Sequence, residues 1–224
     1  MFSSEAIQRQ AWEHAKNDAV LFLRSFVFTV DEHDEETPVK RFRVIEPIEY
    51  IARLWQDLPQ NEHISINKSR QLMCSWLAVS LILWESLRKP GRLWGVVSKK
   101  EDDAAKLLGE TRLGFIYHYL PEWMQKEHKM RASEVRVTFE HPGKAPVSQV
   151  MAIPQGSNQS RMHTFSGLVF DEAAFQDGLG QTIVGAKPTL HGGGKLILIS
   201  TGMPACTPCA IISPLHGQLI DQSG

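Results

Sequence analysis

Short apolar runs that alternate with helical segments constrain the fold of this chain more than any other sequence feature. The predicted strands of this pattern are His63 to Ile66, Leu93 to Val97, Leu168 to Phe170 and Lys195 to Ser200. Between the first two strands, Ser75 to Leu87 is apolar nearly all round and is therefore predicted to be a buried helix. Such alternation indicates an α/β domain with a mostly parallel sheet. In such sheets, binding residues collect at the carboxyl ends of the strands.

The first sixty residues are predicted to form a helical arm that packs on this core. Ser4 can cap one helix in which apolar residues recur at helical spacing up to Phe26. A short strand at 26–29 and a second helix at 47–58 follow. We therefore expect three parts, which are a helical arm at 1–60, an α/β core at 61–203 and a short irregular tail at 204–224.

Two further features are predicted within the core. Ser98 and Glu101 form a capping box, and the helix that they open should run towards Leu120. The segments Val135 to Glu140 and Gln149 to Ile153 have alternating patterns and are separated by a turn. They should be neighbouring strands.

Composition excludes several classes of protein. Of 224 residues, 42% are hydrophobic and 22% are charged, which is ordinary for a globular domain. The net charge of −1 gives no overall basic field, so any nucleic-acid binding must come from local patches. Three cysteines do not make a disulfide framework, and no secretory signal is evident. The most apolar run, Trp76 to Trp84, is too short to span a bilayer, so we expect a soluble intracellular protein.

The segment between the first strand and the buried helix has the context of a phosphate-binding loop. Backbone N–H groups at a helix N-terminus attract an anion, and a nearby lysine neutralises it. The usual pattern is G-x-x-x-x-G-K-[ST]. Here Met73 stands in place of the second glycine and Cys74 in place of the lysine, while Ser75 fits and Lys68 begins the loop. The loop alone is weak evidence.

The acidic pair Asp171 and Glu172 is the strongest chemical signal. It follows a buried strand, where an aspartate can orient water on Mg²⁺ held between nucleotide phosphates. Glu172 could then polarise an attacking water as general base. The alternative is an acidic helix start, because acidic residues suit helix N-termini. Downstream of a phosphate-type loop, the pair favours ATP hydrolysis.

Other polar residues each have a functional and a structural interpretation. Ser75 could bind Mg²⁺ or cap the buried helix, and both roles can hold together. Lys68 could balance phosphate charge or lie in solvent, and Arg70 could stabilise the γ-phosphate or form a surface ion pair. Cys74 could be a thiol activated by the helix N-terminus, or simply a small residue in a tight loop. The dipeptide Ser200-Thr201 could sense the γ-phosphate or only end its strand.

With these motifs in this order, the chain resembles the N-terminal ATPase domain of phage terminase large subunits, the motors that package DNA into procapsids. The resemblance covers the chain nearly to Met203 and lies in 26–29, in 68–75 as a variant Walker A loop, in 93–98, in 168–175 as Walker B and in 199–202 as the coupling motif. Some family members carry the loop lysine at its beginning, as Lys68 does here.

The resemblance implies a RecA-like P-loop fold, preceded by an N-terminal helical arm, and Mg²⁺-dependent ATP hydrolysis that drives translocation of double-stranded DNA. It implies Glu172 and Arg70 as catalytic residues, Ser75 and Asp171 as metal ligands, and Ser200 and Thr201 as coupling residues. The implied nucleotide-binding residues are Lys68, Ser69, Arg70, Gln71, Leu72, Met73, Cys74 and Ser75. The family's adenine-contacting glutamine is expected upstream of the loop, where Gln56 and Gln60 lie nearby.

The implied partners are a small terminase subunit, the portal protein and sister copies in a homo-oligomeric ring, with no membrane, in the cytoplasm of an infected or prophage-carrying bacterium. Full-length members carry a nuclease domain after the coupling motif, and the tail 204–224 is too short for one, so no nuclease activity is expected.

Two alternatives stay open. One is a catalytically impaired or truncated nucleotide- or DNA-binding remnant, and the less favoured one is a helicase-type ATPase.

Overall fold

The computed structural model describes residues 4–31, 34–59, 62–68, 72–98, 101–109, 111–143, 145–154, 163–176, 179–190 and 193–201. Three predicted nucleotide-binding residues, Ser69, Arg70 and Gln71, lie outside these ranges, as do Gln60 and the tail 204–224.

The N-terminal region contains two helices where one was predicted. Helix α1 spans Glu5–Ala15 and helix α2 spans Ala19–Phe26. The break occurs because the side chain of Asp18 caps α2 by accepting a hydrogen bond from the Leu21 amide at 2.9 Å. A small antiparallel pair follows, made of β1 (Phe28–Val30) and β2 (Val39–Arg41), and then helix α3 (Glu46–Asp57).

The main sheet confirms the predicted α/β class. In the described part of the chain it has seven strands in the order β3-β9-β8-β4-β7-β6-β5. Their bounds are His63–Lys68 (β3), Leu93–Ser98 (β4), Met130–Ser133 (β5), Arg136–Phe139 (β6), Ser148–Pro154 (β7), Gly167–Phe170 (β8) and Lys195–Thr201 (β9). Strands β3, β9, β8, β4 and β7 are parallel, whereas β6 and β5 extend one edge in antiparallel pairing. The predicted strands at 135–140 and 149–153 correspond to β6 and β7.

Helix α4 (Cys74–Arg88) is the buried helix that the sequence predicts, and it is enclosed along nearly its whole length. The indole Nε1 of Trp84 donates a hydrogen bond to the Ala15 carbonyl at 2.7 Å, which joins α4 to the end of α1. Burying its apolar surface against both the sheet and the N-terminal helices makes α4 the centre of the core.

The other helices are α5 (Glu101–Leu108), α6 (Leu113–His118), α7 (Glu122–Glu127) and α8 (Leu179–Ala186), with 3₁₀ turns at Ala173–Phe175 and Lys187–Leu190. The helix predicted to run on to Leu120 is therefore interrupted. Its first part, α5, ends at Leu108, and the following Gly109 amide closes the last turn on the Ala105 carbonyl at 2.9 Å. Among the described helices, none is long and apolar enough to cross a membrane.

A buried cluster of charged side chains links α3 and α4 to the start of strand β9. Lys195, at the start of β9, donates to the Trp55 carbonyl at 2.6 Å and pairs with Glu85 at 3.3 Å. Arg88 pairs with the same carboxylate at 3.1 Å. The helices of the predicted arm thus pack into the same core as the sheet, while the predicted domain boundaries stay a prediction.

Candidate active site

Parallel pairing brings the predicted site residues to one edge of the sheet. Lys68 and Thr201 are register partners at the carboxyl ends of β3 and β9. Strand β8 lies beside β9, and Asp171 and Glu172 follow its last residue, Phe170. Helix α4 begins at Cys74, so it places Ser75 in its first turn. Residues that are far apart in the sequence therefore lie together at the carboxyl ends of parallel strands, where the sequence predicts binding residues.

Ser75 and Asp171 form a pair of oxygen donors. The Ser75 hydroxyl donates to the Asp171 carboxylate and lies 3.3 Å from both of its oxygens. Asp171 is only 9% exposed. Burial and the neighbouring Glu172 raise the pKa of this carboxyl, against the opposing effects of Lys68 and Ser75. A hydroxyl and a carboxylate are the hard ligands that Mg²⁺ prefers, so the two residues fit the predicted metal site.

Glu172 is held by both of its carboxylate oxygens. Oε1 lies 3.6 Å from the ammonium of Lys68, and Oε2 accepts a hydrogen bond from the Thr201 hydroxyl at 3.2 Å. The Lys68 side chain is 7% exposed, whereas that of Glu172 is 40% exposed. The carboxylate of Glu172 can therefore be reached by water, while its position is set by two neighbouring strands.

The short turn after Glu172 is bound to both flanking strands. On one side, the Ala174 amide donates to the Ser200 hydroxyl at 3.0 Å. On the other, the Gln176 side-chain amide donates to the carbonyls of Asp171 at 2.9 Å and of Val97, at the end of β4, at 3.3 Å. Gln176 was not predicted from the sequence, because a lone glutamine after an acidic pair is not a specific signal.

The end of the loop differs from one structural and one functional interpretation, those of Ser75 as an N-cap and of Cys74 as an activated thiol. Met73, not Ser75, is the N-cap of α4, and its backbone is left-handed with φ 38° and no side-chain capping bond. The N-cap alternative for Ser75 is therefore wrong, and its hydroxyl faces Asp171 instead. Burial raises the pKa of the Cys74 thiol to about 11, which does not fit an activated thiol. Leu72 is half-buried and packs against the core.

Gln56 lies away from this edge of the sheet. Its side-chain oxygen accepts a hydrogen bond from the Ala19 amide at 2.8 Å, and its carbonyl lies near Lys195 at the amino end of β9. The opposite end of β9 carries Thr201. Gln56 therefore does not fit the adenine contact considered for it.

Comparison with known proteins finds similar structures but no curated protein with a similar sequence. No family model and no curated protein matches the chain. The large terminase of bacteriophage HK97 matches with a TM-score of 0.61 at 13% identity, over 83% of this chain and 37% of that one. The large terminase ATPase domain of Thermus phage P74-26 matches with a TM-score of 0.55 at 17% identity, over 72% of this chain and 66% of that one.

A third structure, a large terminase from a thermophilic bacteriophage, matches with a TM-score of 0.52 at 13% identity, over 69% of this chain and 38% of that one. The chain thus spans under two fifths of the HK97 protein and of this third protein. At these identities the likeness concerns the fold, with its central, mostly parallel sheet and its flanking helices. The chain has the RecA-like fold of the ATPase domain of phage large terminases.

Proposed function

We propose that this chain is the ATPase domain of a DNA-packaging terminase and that it hydrolyses ATP, with Mg²⁺, to move double-stranded DNA into a procapsid. The observation that carries the proposal is the meeting of two groups at one edge of the sheet. One is the Ser75–Asp171 oxygen pair, and the other is Glu172 between Lys68 and Thr201.

The phosphates of ATP would bind at the N-terminus of α4. This helix has 15 residues, and its first N–H groups favour an anion. Lys68 adds a positive charge from the end of β3. Ser75 and Asp171 would hold Mg²⁺, which stabilises charge on phosphate oxygens when bound. The loop residues Ser69, Arg70 and Gln71 stay predicted phosphate contacts, with Arg70 as the stabiliser of charge that develops on the γ-phosphate.

Glu172 is the proposed general base. Its carboxylate would accept the proton of a water whose oxygen attacks the γ-phosphorus, while the bond from this phosphorus to the β–γ bridging oxygen breaks and ADP leaves. Lys68 lies 3.6 Å from this carboxylate, so a move of the ammonium towards phosphate would free one carboxylate oxygen for water. Thr201 would keep the other oxygen in place through its hydroxyl. This contact, with that of Ser200 to the same turn, is the proposed coupling between hydrolysis and β9.

A steady-state ATPase assay of the purified chain, with and without double-stranded DNA, tests this proposal. Glu172→Gln keeps the shape of the side chain and removes its basicity, so turnover should fall by at least about 100-fold. Binding of a fluorescent ATP analogue should stay within about threefold, because Glu172 is not a proposed phosphate ligand. Glu134→Gln, in an exposed turn between β5 and β6, is the matched control and should hydrolyse ATP normally. Turnover that survives Glu172→Gln would refute the assignment.

A second candidate is a nucleotide-binding remnant without motor activity, and Met73 favours it. This residue is 39% exposed at the start of α4, where a glycine would leave room for phosphate. The same assay separates the two candidates. Turnover above background that disappears in Lys68→Ala would eliminate the remnant, whereas nucleotide binding without turnover would favour it.

The proposed partners follow from the likeness to phage terminases. They are double-stranded DNA, the portal protein, a small terminase subunit and sister copies in a ring on the procapsid, in the cytoplasm of the bacterial host. Because the chain spans 37% of the HK97 protein, the proposal is confined to ATP hydrolysis and its coupling to DNA. Stimulation of turnover by double-stranded DNA is the first partner test.

A further inference from the structure

Gln176 joins the turn that carries Glu172 to the neighbouring strand. Regular pairing of β4 with β8 ends at Val97 and Phe170. Beyond this pair, the Val97 carbonyl accepts the Asp171 amide at 2.9 Å and the side-chain amide of Gln176 at 3.3 Å. The same amide nitrogen reaches the Asp171 carbonyl at 2.9 Å. Gln176 therefore extends the contact between the two strands into the turn.

This turn contains two features that cost stability. Gln176 is 6% exposed, and within the described residues its Oε1 atom is buried without a hydrogen-bond partner. Burial of an acceptor without a partner costs stability. The backbone of Glu172 is left-handed, with φ 49° and ψ 44°, which also costs stability in a residue with a side chain. Unfavourable features that persist side by side indicate a geometry kept for function.

The contacts of Gln176 determine which kinetic quantity it affects. Its side-chain bonds go to main-chain carbonyls, and no described contact links it to Lys68 or Ser75. On the opposite side, the Ser200 hydroxyl holds the Ala174 amide. The turn is thus fixed between β4 and β9, and the direction of the Glu172 side chain follows from the backbone of that turn.

We propose that Gln176 is a positioning residue that holds the turn 171–176 on β4, so that the carboxylate of Glu172 points at the attacking water. The inference rests on the proposed ATPase function. It concerns the chemical step and not nucleotide binding, since a small displacement of a catalytic group lowers turnover without removing phosphate contacts.

Gln176→Met tests the proposal, because methionine has nearly the same size and no N–H donor. We expect kcat to fall at least about tenfold, while KM and the Kd of a fluorescent ATP analogue change less than about threefold. Gln125→Met is the matched control. The Gln125 amide also bridges two carbonyls, those of His118 at 3.1 Å and Leu120 at 2.7 Å, but away from the candidate active site. This control should lose stability without losing kcat.

The outcomes are distinct from those that test the ATPase function itself. If the unaltered chain has no turnover, the proposed function fails. If the unaltered chain hydrolyses ATP and Gln176→Met keeps kcat within about twofold, only the inference about Gln176 fails. Gln176→Leu also lacks an N–H donor and adds no charge, so it carries the test should Gln176→Met not fold. Equal losses of kcat in the variants at 176 and 125, in step with stability, would also contradict the inference.

Discussion

Two residues of the candidate site, Met73 and Glu172, have left-handed backbones. Glycine adopts this conformation freely, whereas in other residues the Cβ atom makes it sterically strained. At Glu172 the strained backbone aims a proposed catalytic carboxylate. At Met73 no such reason exists, because the side chain is partly exposed and makes no capping bond. The position corresponds to a glycine in the usual phosphate-binding pattern.

Substitution at Met73 separates backbone strain from side-chain effects. Alanine keeps the strain of φ 38°, and glycine relieves it. In the middle of a helix or strand, glycine makes a protein less stable than alanine does, by about 0.5–1 kcal/mol. Here we expect the opposite order, with Met73→Gly more stable than Met73→Ala by about 1 kcal/mol. Urea denaturation of both variants measures the difference. A Met73→Ala variant as stable as Met73→Gly would show that the left-handed backbone carries no strain.

At the scale of elements, strands were more predictable than helix boundaries. The strands that lead to Lys68, Asp171 and Thr201 were predictable because each apolar run stops at a polar residue. Helix α8 was missed because its two glycines, Gly180 and Gly185, weaken its helical signal. Strand β5 was missed because its residues are mostly exposed and do not alternate.

In the candidate site, too, some residues could be predicted from the sequence and others could not. Its residues could be predicted wherever the side-chain type itself carries the chemistry, as at Ser75, Asp171 and Glu172. Gln176 could not, because its partners are main-chain carbonyls that any residue could supply. The role of Met73 as N-cap could not be predicted either. Methionine rarely adopts a left-handed backbone, so this conformation is imposed by the surrounding fold and not by the residue's own preference.

The break between α1 and α2 gives a prediction for an element. Apolar spacing continues through this point, but Asp18 accepts the Leu21 amide and begins a new helix. Asp18→Ala should lower the free energy of unfolding by about 1 kcal/mol. Ser4→Ala is the matched control, because Ser4 caps α1 at 3.4 Å from the Ile7 amide in an exposed position. Its effect in urea denaturation should be less than half as large. Equal losses would mean that the two caps contribute alike.

At the scale of the whole molecule, one continuous core joins the N-terminal helices, α4 and the sheet. His128 and His141 lie at its edge, with their ring centroids 5.0 Å apart. The His128 ring contacts the Glu140 carbonyl, and that of His141 contacts the Ser148 hydroxyl at 2.8 Å. Since both rings are buried, their protonation is linked to folding of this core.

Acid should therefore destabilise the fold through these two residues. Burial, aided by the nearby His141, lowers the pKa of His128 to about 4, and burial also lowers the pKa of His141. The unfolded chain thus binds more protons than the folded chain once the pH falls below the ordinary histidine value of about 6.5. Through His128 alone, the free energy of unfolding should drop by up to about 3 kcal/mol between pH 7 and pH 4.

Urea denaturation across this pH range measures the effect in His128→Gln, whose amide cannot take up a proton. Relative to the unaltered chain, this variant should lose less stability on acidification, even if it is less stable at pH 7. The exposed His118 provides the matched control, and His118→Gln should follow the pH dependence of the unaltered chain. Parallel stability curves for His128→Gln and the unaltered chain would place the acid sensitivity elsewhere. Convergence of the two curves towards pH 4 would instead tie it to the buried imidazole, because only a group that titrates differently in the folded and unfolded states changes the slope.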